Sequence, residues 1–122
     1  MNAHKTDGFQ LVQRCWGRAM FGSELQLALA DCENGMAMMM KAHDDAYLAR
    51  GLVNYKLGRF DLALADYDAA VKLNDKSADA LYMRGMTKVK LGRAAEGKAD
   101  IASALKLSQS VSKLFTFYGV AA

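Results

Sequence analysis

The chain has 122 residues, and its 16 basic and 13 acidic residues leave a formal net charge of +3. These charges are too evenly spread to indicate a nucleic-acid-binding protein. With 52% apolar residues the chain can build the core of one domain, whereas no segment approaches the roughly 18 consecutive apolar residues of a membrane span. The first ten residues are polar and lack the apolar run of a secretory signal.

Apolar residues recur at helical rather than alternating spacing along the chain, which predicts an all-α protein. The Ala, Leu, Lys, Met and Arg content favours helix, and the sequence contains no proline. Short connections between the helices force neighbours to run antiparallel. In chain order, the predicted helices lie near residues 9–21, 24–41, 44–57, 60–74, 78–91, 94–108 and 111–119.

The most informative pattern is an internal repeat, because the four residues from Lys56 to Arg59 recur unchanged from Lys90 to Arg93. Residues 44–77 match 78–111 at the same offset, and the matched pairs include Asp45 with Asp79. Most other matches are small or apolar residues at helical spacing. A period of about 34 residues indicates helix pairs, each of which must bury one face on its neighbour.

The two ends of the chain extend this pattern imperfectly. Residues 26–32 match 61–67 at an offset slightly longer than the period, so we expect a diverged first repeat with one extra residue. Tyr118 and Gly119 lie one period beyond Arg84 and Gly85, which indicates the opening helix of a fourth unit that serves as a cap. We predict a single domain over 1–122, with repeats near 9–43, 44–77 and 78–111 and a capping helix over 112–122.

The repeat resembles the tetratricopeptide repeat. In one unit its pattern is filled by Tyr47, Gly51, Ala63, Tyr67 and Ala70, and in the next by Leu81, Gly85, Ile101 and Ala104. The chain departs from that pattern where Asp75 and Gln109 replace the closing proline. The resemblance implies a right-handed α-solenoid of antiparallel helix pairs, with no enzymatic activity and no cofactor.

In similar repeats the first helix of each pair lines a concave groove. The corresponding residues here form a partner-binding groove that is largely apolar, with two lysines at its rim to attract an acidic partner. The predicted groove residues are Leu48, Leu52, Tyr55, Lys56, Tyr82, Met83, Met86, Val89 and Lys90.

The resemblance therefore implies an adaptor that binds a peptide or helical segment of another protein, without binding nucleic acid or membrane. Family members that clamp the carboxylate tails of heat-shock chaperones use basic residues and asparagine where this chain has Leu48, Leu52 and Met83, and only Lys113 remains basic, so such a clamp is disfavoured. Two alternatives stay open: a chaperone that shields apolar segments of a secreted client, and a module that self-assembles through the groove or the aromatic cap.

Charged residues also recur at fixed positions of the repeat. Arg50 and Arg84 share one position, and Asp31, Asp66 and Asp100 share another. In similar repeats these positions face a neighbouring helix, which favours ion pairs that fix helix register over a site for a charged ligand.

The two cysteines also bear on the compartment. Cys32 takes the position of Tyr67 in the repeat, and Cys15 falls near the turn of the first helix that packs against it, so we expect their α-carbons within about 7 Å. A disulfide and a pair of buried thiols remain equally open. A cytoplasmic location is the default, and a periplasmic or secreted one follows if the cysteines are oxidised.

Neither catalysis nor metal binding has a good candidate. His4 and His43 lack a nucleophile or an orienting carboxylate at motif spacing, so no catalytic residue is assigned. The methionines at positions 36 and 38–40, together with His43, could offer copper(I) soft ligands. Methionine is also an adaptable core residue, so we predict no metal site.

Overall fold

The computed structural model describes residues 7–120, which form seven α-helices and no strand. The all-α class is therefore confirmed for this part of the chain, whereas His4 and the last two residues of the predicted cap lie outside it. The helices are α1 (Gly8–Phe21), α2 (Leu25–Ala37), α3 (Asp44–Lys56), α4 (Phe60–Leu73), α5 (Ala78–Lys90), α6 (Ala94–Leu107) and α7 (Val111–Phe117).

The helices form three antiparallel pairs, α1 with α2, α3 with α4, and α5 with α6, each joined by a connection of three residues. Successive pairs stack, because α3 also packs on both α1 and α2, and α5 packs on α4 and α3. The first helices of the pairs therefore lie side by side and form one layer of a solenoid, and α7 packs on α5 and α6. No described helix is long and apolar enough to cross a membrane.

Glycine ends the first helix of each pair, α1, α3 and α5, which we call the inner layer, and it also ends α7. Gly22, Gly58, Gly92 and Gly119 have φ values of 66°, 78°, 82° and 87°, a left-handed conformation that side chains resist. At the end of α3 the N–H of Gly58 donates to the Tyr55 carbonyl at 3.0 Å and that of Arg59 to the Asn54 carbonyl at 2.8 Å. These bonds satisfy carbonyls that the helix itself leaves free.

The same turn corrects the predicted alignment of α7. Gly119 ends α7 with the bonding pattern that Gly92 has at the end of α5, whereas Gly85 lies in the middle of α5. Gly119 therefore corresponds to Gly92, and α7 is a shortened first helix of a pair. The sequence alignment paired Gly119 with Gly85 because both are glycines one period apart. Gly85 allows close contact between helices, whereas Gly119 adopts a left-handed turn.

Gly85 and Gly97 bring α5 and α6 into close contact. A Cβ added to either glycine would lie 2.5 Å from the carbonyl oxygen of the other, so neither position tolerates a side chain without a shift of backbone. Val89 lies against the same place, because its Cγ2 would be 2.7 Å from a Cβ on Gly97. Val89 thus packs on α6 instead of pointing into the predicted groove.

Helix α2 ends at Ala37, earlier than the predicted position 41. Met36 and Met39 pack against the core, whereas Met38 and Met40 are exposed. The four thioethers therefore do not share one face. No cluster of histidine, cysteine or carboxylate side chains suited to a metal ion occurs between residues 7 and 120.

Candidate protein-binding face

A disulfide joins the two helices of the first pair. Cys15 in α1 and Cys32 in α2 are bonded, with their α-carbons 5.4 Å apart, and both side chains are fully buried. The separation lies inside the limit of about 7 Å that was set from the sequence. The bond links α1 covalently to α2 and therefore restricts the position of one helix relative to the other.

Each helix pair also contains one arginine that binds one buried aspartate through two nitrogens. Arg14 donates to Asp31 at 2.9 and 2.8 Å, and Arg84 donates to Asp100 at 2.9 Å through both nitrogens. Arg50 binds Asp66 in the middle pair, with its shortest bond at 2.8 Å. The predicted structural role of Arg50 and Arg84 is confirmed, because each arginine donates to both oxygens of its aspartate and is thereby held between the two helices of its pair.

Arg14 is the member of this series that the sequence reasoning missed. It lies 17 residues before Asp31, whereas the other two arginines precede their aspartates by 16 residues. The sequence does contain a signal for Arg14. In each repeat an arginine directly precedes a small residue, which is Cys15 in the first repeat and Gly51 and Gly85 in the other two.

The ion pairs change the acidity of their carboxyl groups. Hydrogen bonds from Arg14 lower the pKa of Asp31, and they outweigh the opposite effect of burial. Burial raises the pKa of Asp100, but hydrogen bonds from Arg84 and Lys88 outweigh it and leave the pKa below its ordinary value. Both groups therefore favour the charged form in the folded protein.

We expect acid to destabilise the protein below a pH of about 4. A carboxyl group whose folded pKa is lowered stabilises the fold fully above its unfolded pKa, near 4, and loses this contribution as the pH falls further. Thermal melts followed by circular dichroism from pH 7 to pH 2 measure this dependence. The Asp100→Asn variant should lose less stability on acidification than the parent, and equal losses would show that this pair does not carry the effect.

The concave side of the inner layer is covered in part by the chain itself. Phe115 of α7 is fully buried, stacks on Tyr82 of α5 with centroids 5.6 Å apart, and meets the edge of Trp16 of α1 at 6.5 Å. Tyr118 also contacts Trp16, at 6.1 Å. A single short helix therefore reaches aromatic residues of both the first and the third pair.

Lys56 holds the end of α7 in place. Its ammonium group donates to the carbonyl of Met20 at 2.8 Å and to the carbonyl of Tyr118. Both acceptors lie at the carboxyl end of a helix, where the helix dipole favours a cation. Burial lowers the pKa of Lys56, and its position ties the first helix of the solenoid to the last.

The expectation of an open groove along the whole concave side needs correction. Six of its nine residues are buried, and the core that contains them also contains Val111, Phe115 and Val120 of the C-terminal segment. Lys56 is bound to two carbonyls and Lys90 is exposed. Binding by this set stays a prediction. The six buried residues are Leu48, Leu52, Tyr55, Tyr82, Met83 and Met86.

Two openings lie at opposite ends of the inner helices. One, of about 360 Å³, lies near the start of the inner helices and is lined by Phe9, Val12, Gln13, Trp16, Asp45, Leu48 and Asp79. The other, of about 490 Å³, lies near their ends and is lined by Gly22, Leu25, Tyr55, Lys56, Phe60, Lys90, Gly119 and Val120. We refer to the first as the acidic opening and to the second as the basic opening.

Comparison with family models identifies the repeat. A model described as TPR repeat matches residues 51–92, and a model described as Tetratricopeptide repeat matches residues 78–110. The chain belongs to the tetratricopeptide-repeat family. The matched residues begin within α3 and include α4, α5 and α6 of this tetratricopeptide-repeat protein, whereas the disulfide-bonded first pair lies outside them.

Solved structures agree with this fold. The second tetratricopeptide-repeat domain of Spaghetti (RPAP3), bound to the HSP90 peptide SRMEEVD, has a TM-score of 0.76 at 22% identity and is matched over 85% of this chain and 94% of its own. PcrH, in complex with the chaperone binding region of PopB, has a TM-score of 0.75 at 16% identity over 92% and 91%. At such identities the likeness shows the fold alone. No curated protein matches this chain.

Proposed function

We propose that this protein is a non-catalytic adaptor that binds a segment of a partner protein on its concave side, at the acidic opening beside α7. One observation carries the proposal. Phe9 is 57% exposed at this opening, and the half-buried Trp16 and the buried Leu48 also line it. Large apolar side chains in a concave surface with a few polar groups are typical of a contact site.

The similar structures support a protein segment as the ligand. The Spaghetti domain is bound to a peptide, and PcrH is in complex with a region of another protein. The peptide of the Spaghetti domain is acidic at its end, which does not match the lining found here. The lining of the acidic opening carries two aspartates and no basic residue.

A chaperone for apolar segments of a secreted client is the second candidate, and the fold shared with PcrH favours it. An adaptor binds one segment in a folded partner, whereas a chaperone keeps an unfolded client soluble. Suppression of client aggregation at equimolar protein would favour the chaperone, and continued aggregation would favour the adaptor.

We further propose that the protein works in an oxidising compartment, the periplasm or the cell exterior. The buried disulfide of the first helix pair supports this, since thiols of cytosolic proteins are kept reduced. Alkylation of protein taken directly from cells, followed by mass spectrometry, should find both cysteines blocked. Two alkylated cysteines would place the protein in a reducing compartment.

Trp16 provides a direct test of binding at the proposed site, since it is the only tryptophan of the chain and lines the acidic opening. We expect random dodecapeptides, selected by display on the full chain, to change Trp16 emission with the same midpoint as their binding. Selected peptides that bind without altering this emission would contradict the proposed site. Failure to select any peptide would contradict the proposed function.

A further inference from the structure

We infer that the partner segment carries an arginine or lysine next to a large apolar residue, and that the cation lies between Asp45 and Asp79 of the acidic opening. This inference rests on the proposed function and adds the chemistry of the partner. It reverses the charge expected from the sequence, where the lysines at positions 56 and 90 indicated an acidic partner.

The position of the two carboxylates is the first support. Asp45 lies in the first turn of α3 and Asp79 in the first turn of α5, and both line the opening that also contains Trp16 and Leu48. Within residues 7–120 neither carboxylate forms an ion pair or accepts a side-chain hydrogen bond. The buried aspartates of the three helix pairs, in contrast, are all bound by arginine.

The electrostatic cost of this arrangement is the second support. Burial raises the pKa of Asp79, and the negative charge of Asp45 raises it further. Acidic residues in a first turn stabilise a helix through its dipole, which explains their place in the sequence. The dipole effect does not explain why Asp79 is half-buried beside a second carboxylate. A cation between the two aspartates would offset the cost of burying the charge of Asp79 and the repulsion between the carboxylates.

The charge distribution along the concave side is the third support. The basic opening at the other end of the inner helices contains Lys56 and Lys90. Opposite charges therefore lie at opposite ends of one face, although the chain as a whole carries only +3. A segment with a basic residue at the acidic opening matches this face, whereas an acidic residue there would be repelled.

The apolar wall specifies the neighbouring side chain. Phe9, Trp16 and Leu48 line the same cavity of about 360 Å³ as the two carboxylates. A cavity of that volume admits one large aliphatic or aromatic side chain together with the stem of an arginine or lysine. The recognised unit is thus a pair of residues, one basic and one large and apolar, within a few positions of each other.

Peptide selection with charge variants tests the inference. Random dodecapeptides are displayed against the full chain, and the enriched peptides are then measured in solution against the parent and the Asp45→Asn/Asp79→Asn variant. Asparagine keeps the size of the side chain and removes its charge. We expect enrichment of Lys or Arg beside a large apolar residue, and at least a tenfold loss of affinity in the variant at low salt.

A matched pair of substitutions provides the control. Asp61→Asn/Asp75→Asn removes the same charge from two exposed positions outside the opening, and should change affinity less than twofold. Enriched peptides without a basic residue, or equal affinity for the parent and the Asp45→Asn/Asp79→Asn variant, would overturn the inference and leave the proposed function intact. If no peptide is enriched, or none alters Trp16 emission, the proposed function fails as well. Thermal melts establish that both double variants fold.

Discussion

Replacing Phe115 with alanine should lower the melting temperature by roughly 10 °C or more and expose Trp16 to water. Phe115 is fully buried and contacts Trp16, Tyr82 and Tyr118. Truncation of a buried phenylalanine to alanine costs about 3–5 kcal/mol, and each aromatic pair adds about 0.5–1.5 kcal/mol beyond its buried area. In a chain of this size, each kilocalorie per mole corresponds to a few degrees.

The matched control for this variant lies in the same helix. Phe117 is 78% exposed, so Phe117→Ala should change stability by no more than about 0.5 kcal/mol. Thermal melts give the stability of both variants, and a shift of Trp16 emission to longer wavelength reports the release of α7. If Phe115→Ala melts like the parent and leaves Trp16 emission unchanged, α7 does not anchor the concave side.

Reduction of the disulfide should destabilise the protein by about 3 kcal/mol. The bond between Cys15 and Cys32 spans 17 residues of sequence, and a closed loop of this length restricts the unfolded chain by about that amount. The expected fall in melting temperature is again roughly 10 °C. Calorimetry with and without reductant measures the difference.

Two cysteine-to-alanine substitutions separate the bond from the action of the reductant on the rest of the chain. The Cys15→Ala/Cys32→Ala variant should melt near the reduced parent and show no response to reductant. A parent protein whose melting temperature is unaffected by reductant would contradict a stabilising role for the bond. A double variant that still responds would show that the reductant acts elsewhere.

The helix pairs could be predicted from the sequence because one local pattern repeats with its packing partners. The residues from Lys56 to Arg59 recur at positions 90–93, and each copy contains the glycine that ends a helix of the inner layer. Arg50 and Arg84 recur together with the aspartates that they bind. Such features depend on neighbours within one repeat, so a sequence period contains them.

The path of α7 could not be predicted in the same way, since it depends on contacts between distant parts of the chain. Helical spacing located α7, but nothing in the spacing showed that Phe115 packs on Trp16 and Tyr82. Tyr82, one of the predicted groove residues, is buried in that contact. The match of Asp45 with Asp79 was visible in the sequence, yet their common opening emerged only once α1 was placed beside them.

Site-specific photo-crosslinking in the cells that make the protein tests the account most directly. A photoreactive residue at Gln13, which is exposed and lines the acidic opening, should form a covalent adduct with a partner protein. The same residue at Ala102, which is exposed on α6, should form none. We predict that the adduct at position 13 maps to a partner segment with a basic and a large apolar residue. Adducts at position 102 alone would contradict binding on the concave side.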